Sequence, residues 1–199
     1  MIESTVPAIA ESALTTEQIA QASHHLSTTS DALVELVAGL WGSQWNFRPT
    51  AESWSIAENV EYLVLIEGRV HAIIRNMENA PEAISCARQI EMDAFILNEV
   101  PKRSTKVKAP EPVCPEGRWS GVEALHCFLA GREQTIQLLA APLLRGRVRP
   151  HPLFGSWDGY QWLLAVGSHT QRHTEQIREV RAHPMFPSAA GVVTIQSLY

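Results

Sequence analysis

Cysteine is scarce in this 199-residue chain: Cys86, Cys114 and Cys127 are odd in number and form no CxxC pair. That argues against a disulfide framework or a cysteine zinc site and favours a reducing cytoplasm. Long apolar runs are also missing, since segments such as Tyr62 to Ile66 stop far short of the roughly 20 residues a membrane helix needs. Glu3 and Glu11 stand near the start with no early lysine or arginine, which argues against a signal peptide. There is no basic excess either. Sixteen Lys and Arg against 21 Asp and Glu leave a formal charge of -5, so general nucleic-acid binding is not expected. No phosphate-cradling GxGxxG or GxxxxGK(S/T) occurs, and no GxSxG nucleophile elbow.

What is present is the makeup of an ordinary globular protein, 45% hydrophobic and 19% charged, long enough for one well-buried domain. Thr15, with Gln18 three residues on, opens a first helix. Its stripe of Ile19, Leu26, Leu33, Val37 and Leu40 recurs at helical gaps, and Trp41-Gly42 ends it before a linker from Trp45 to Pro49. Ser55 and Glu58 form the same capping box before a second helix carrying Ile56, Val60, Leu63, Ile66 or Glu67, Val70 and Met77. Between 82 and 117 the spacing predicts a helical piece from Ala87 to Val100. An irregular crossover follows, with Pro101, Pro110, Pro112 and Pro115 and the basic residues Lys102, Arg103, Lys106 and Lys108.

Ser120 and Glu123 cap a third long helix with Leu125, Phe128 or Leu129, Arg132, Ile136 and Leu139 on its stripe. A basic, rigid connection from Arg145 to Pro152 leads to a fourth helix, which starts around Trp157-Asp158 and ends near Arg181. The tail holds a β-like piece, Val192 to Ile195. No run alternates long enough to build a sheet, so the expected class is all-α: a four-helix bundle with a long crossover between helices two and three. The expected organisation is a leader over 1–14, the bundle over 15–183 and a tail over 184–199.

The chemistry-bearing residues cluster in the last helix. His169 and His173 are four apart, so they share a face and can grip one metal ion. Buried histidines on that stripe can equally be a hydrogen-bonded core pair. His24 and His25 are consecutive, so only one faces inward. His126 and His183 read as structural or exposed. The basic clusters at Lys102 to Lys108 and Arg145 to Arg149 are solvated loops, or, if they converge, a receptor for an anionic substrate.

Two segments carry a resemblance. Trp54-Ser-Ile-Ala-Glu58 followed by Tyr62-Leu63 resembles the helix-two signature of the DinB-like superfamily, Trp-Ser-x-x-Glu-x-x-x-His-Leu. The stretch His151-Pro-Leu-Phe-Gly155, then Trp162, His169, His173 and Gln176-Ile177, resembles that family's last-helix pattern. The resemblance implies an up-down-down-up four-helix bundle, often a homodimer, acting as a metal-dependent hydrolase or thiol transferase on small molecules such as thiol conjugates. It also implies a divalent metal, zinc or nickel, held by three histidines, and a low-molecular-weight thiol as co-substrate. Here the helix-two histidine position holds Tyr62, so only His169 and His173 match, and the third ligand falls to Tyr62 or to Glu58. A neutral tyrosine is a poor ligand, so weak metal binding is expected. Tyr62, Glu58, Trp162 and His151 are the expected pocket lining. The alternative is a non-catalytic member that binds a small ligand or serves as a dimeric scaffold.

Overall fold

The computed structural model describes residues 13–82, 87–104 and 111–188. It is mostly helical, with helices α1 (Thr16–Val37), α2 (Gly42–Trp45), α3 (Ile56–Arg75), α4 (Ala87–Asn98), α5 (Gly121–Gln137) and α6 (Gly159–Arg181) among the described residues. Each long helix opens on a reciprocal capping box. Thr15 pairs with Gln18, Ser55 with Glu58, Ser120 with Glu123 and Asp158 with Gln161. In each, the cap side chain accepts from the third backbone N–H while that residue's side chain takes the cap N–H, satisfying two otherwise orphaned donors.

Helix α3 packs against both α5 and α6, and α1 packs against α6 and α5, with α4 laid on α6. The core falls into two clusters. One gathers Leu26, Val70, Met77, Ile96, Leu139, Tyr160, Leu163 and Leu164 around α6's first half. The other gathers Leu33, Trp45, Ile56, Val60, Leu63, Phe128, Ile177 and Val180 around its second half. Helix α6 is the central element, buried along most of its length.

The structure departs from the sequence reading in two places. The linker after α1 contains the four-residue helix α2, whose Trp45 is buried under α5, so close that a Cβ on Gly121 would collide with the indole. The basic connection before α6 contains a two-stranded antiparallel hairpin, β1 (Val148–His151) and β2 (Gly155–Asp158), with His151 opposite Gly155. Gly155 has φ of 82°, the left-handed conformation that glycine tolerates without a Cβ clash. Cys86, Lys106, Lys108, Pro110 and the β-like piece Val192 to Ile195 lie outside the described residues.

Candidate functional site

The Ser55 cap fixes the start of α3, and one turn in, Asn59 is fully buried. Its Nδ2 donates to the Ser55 carbonyl at 2.8 Å, which leaves Oδ1 as the acceptor facing α6. Nδ1 of His173 meets that oxygen at 2.9 Å. Because the amide oxygen only accepts, His173 carries its proton on Nδ1 and presents a lone pair on Nε2.

Tyr62, three residues after Asn59, lies against both histidines. Its ring centroid is 4.9 Å from that of His173 and 5.3 Å from that of His169, and the two imidazoles are 4.7 Å apart. Trp54 closes the group, 4.9 Å from Tyr62 and nearly parallel to His173 at 6.1 Å. His169 keeps an edge open to solvent, yet its Nε2 is sealed and has no hydrogen-bond partner among the described residues.

The electrostatics keep all three polar groups neutral. Burial pushes His169 down to about 4, with Arg172 and His151 acting in the same direction. Burial, then the fields of His169, Arg172 and Arg103, hold His173 well below the usual imidazole value. Burial, reinforced by Cys114, pushes Tyr62 up to about 12 against the opposing pull of Arg172 and Arg69. At neutral pH the site therefore offers one phenol O–H and two uncharged imidazoles.

Neither acidic neighbour enters this group. Oε2 of Glu58 accepts from the Ser55 N–H at 2.8 Å, and its Oε1 is bound by Arg48. Buried Glu61 accepts from the N–H groups of Glu116 and Gly117, both at 3.0 Å, and from Arg118 at 2.8 Å. Burial works to raise its pKa, but these donors outweigh it and leave the carboxyl below the usual range. Glu61 thus points away from Tyr62, as the helical wheel predicts, and anchors the loop that leads into α5. Among the described residues no three His, Cys, Asp or Glu side chains converge as a metal site requires. The donor set fits two ligands of the three that the family resemblance implies.

His151 and Trp162, the other expected lining residues, meet at the hairpin end of α6. The His151 ring lies 3.9 Å from Trp157 and 5.2 Å from Trp162. Two cavities, of about 420 and 430 Å³, lie elsewhere. One is a groove between α1 and α6 at His24, His25 and Gln171, and the other is at Ser30, Arg132 and Ile136. Of the consecutive pair, His25 faces in, with Nε2 3.1 Å from Ser168 Oγ, while His24 stays exposed.

Among the described residues, the arginines of the two basic clusters are engaged locally. Arg103 binds Glu179 and Gln176, Arg145 binds Asp93 and Asp158, and Arg147 and Arg149 donate to the Ala80 and Asn76 carbonyls.

Sequence reasoning missed a buried network. Arg132 meets Glu67 at 2.9 Å and also donates to the Leu26 carbonyl and Thr170 Oγ1. Thr135 donates to Glu67 and lies 2.8 Å from His71 Nε2. Its signal was there to find, since both charged residues fall on the apolar stripes of their helices.

The chain is 28% identical over 155 residues to YuaE of Bacillus subtilis (strain 168), a protein described as uncharacterized, covering 72% of this chain and 86% of YuaE. No solved structure matches. The family model of the DinB superfamily matches residues 25–177, a span that holds Asn59, Tyr62, His169 and His173 together, and the chain therefore belongs to that superfamily.

Proposed function

We propose that this protein is a small-molecule-binding member of its superfamily in which Tyr62 has replaced the third metal ligand. The carrying observation is the position of the phenol, against both imidazoles and kept neutral by burial. Deprotonating it for metal ligation costs about 1.4 kcal/mol for each pKa unit above the working pH. His169 and His173 alone hold zinc or nickel weakly. The Tyr62 hydroxyl serves as a hydrogen-bond donor to a ligand, with Nε2 of His173 as the facing acceptor and Asn59 fixing its direction. Trp54 forms the wall.

A second reading, a metal-dependent hydrolase or thiol transferase using a low-molecular-weight thiol, is favoured by one feature. A buried amide orients His173 much as outer groups orient metal-bound histidines. Both readings place the site in an up-down-down-up four-helix bundle of α1, α3, α5 and α6 spanning 15–183. The protein is a cytoplasmic homodimer acting on small molecules, thiol conjugates among them, and not on nucleic acid or membranes. No helix of the described residues is long and apolar enough to cross a membrane. Elemental analysis of untagged protein after dialysis tests the choice: substoichiometric zinc and nickel supports the ligand-binding reading, and one tightly held ion per chain overturns it.

A further inference from the structure

We propose that Trp157, Trp162 and His151 form a binding subsite for the carbonyl or amide oxygens of an uncharged, flat small molecule. The inference rests on the ligand-binding reading above and adds the class of ligand.

Trp157 is 1% exposed and Trp162 8% exposed, and the indole Nε1 of each is sealed from solvent with no acceptor among the described residues. An indole N–H only donates, so its partner must be an acceptor, and buried donors in native proteins are almost always met by one. The two rings lie 5.2 Å apart, and His151 touches both. Nδ1 of His151 accepts from the Leu153 N–H at 3.2 Å, so the neutral ring carries its proton on Nε2 and adds a third donor to the cluster.

The neighbouring rings and the absence of a charged neighbour to His151 set the ligand's charge and shape. Phe154 stacks on His151 at 5.0 Å and on Trp157 at 5.7 Å, with Phe95 behind it at 5.4 Å. Burial alone holds His151 down to about 4, with no charged side chain contributing to its shift. Asp158, the nearest carboxylate in sequence, is taken by Arg145 and by the α6 cap. Donors without a cation suit a neutral oxygen better than a carboxylate, whose desolvation would go unmatched. Trp162 precedes His169 by seven residues, two helical turns on the same side.

The test uses the full-length ¹⁵N-labelled protein and benzamide as probe, with the indole signals of the six tryptophans assigned through Trp157→Phe and Trp162→Phe. Benzamide should shift the Trp157 and Trp162 indole N–H resonances saturably, and Trp162→Phe should weaken its binding about tenfold. Benzylamine, which lacks the carbonyl, should move neither. Two indole signals that stay still, or that report only a bound water benzamide fails to displace, overturn the subsite. Tighter binding of benzoate than of benzamide overturns the uncharged class. If the subsite alone fails, the His169 and His173 ring signals still respond to benzamide; if the ligand-binding reading fails, both ends stay still.

Discussion

Asn59 and His173 are joined across α3 and α6 by one buried hydrogen bond of 2.9 Å, and its direction fixes the tautomer of the histidine. Asn59→Asp places a carboxylate against Nδ1–H and should raise the His173 pKa by at least about one unit. Titration of the His173 Cε1–H signal reads this directly. An unchanged titration would mean that the two side chains are not in contact.

The Glu67–Arg132 pair is buried at both ends, at 2% and 3% exposure. Arg132→Met strands the carboxylate and should cost about 3–5 kcal/mol in denaturant unfolding. The double variant Glu67→Met, Arg132→Met should recover much of that loss, since it removes the unpaired charge. Equal losses in the single and double variants would show that packing, and not charge, dominates there.

Gly167 lets α1 approach α6, because a Cβ there would run into the His25 ring. Gly167→Ala should destabilise by about 1–3 kcal/mol through overpacking and disturb the contact between His25 and Ser168. His25→Ala should relieve most of that penalty. Thermal unfolding of the two variants and their combination checks it.

Stability should fall on acidification. His151 and His169 are pushed down to about 4, and His25, His71 and His173 also lie below the usual value, each chiefly by burial. Below about pH 6.5 the unfolded chain takes up protons that the folded chain refuses, so stability is complete above that value and drains away toward pH 4. Asp158, raised by burial to about 6, works in the opposite direction over part of the window, one group against five. Melting temperatures at pH 7.5, 6 and 5 (a range of roughly the imidazole titration) should fall in that order; a rise would contradict the burial of these rings.

Much of this was legible because it is local. The capping boxes at Thr15, Ser55 and Ser120 need only a Ser or Thr and a Glu or Gln three residues on, and all three sit at helix starts; the fourth, Asp158 with Gln161, has the same spacing but went unread. The short helix α2 offers no period to read in four residues, and the hairpin was hidden in a proline-bearing basic stretch whose strands are four residues each. At the site, the four-residue spacing brought out His169 and His173 and the family pattern added Tyr62, and the fold brings the three together. Asn59 escaped because its role depends on α6. Its position one turn before Tyr62, on the same face of the helix, was the available signal. Glu58 was left open as a ligand by the sequence, and the same capping box that marks the helix start is what engages its carboxylate.

The central claim is that Tyr62 occupies a lost ligand position facing His169 and His173. Calorimetric titration of zinc into the natural protein, into Tyr62→His and into Tyr62→His with His169→Ala tests it most directly. The natural protein should bind weakly, and Tyr62→His should bind at least about tenfold more tightly at neutral pH, because an imidazole needs no deprotonation beyond its neutral form. His169→Ala should abolish the gain. Tight stoichiometric binding by the natural protein, or no gain from Tyr62→His, would contradict the account.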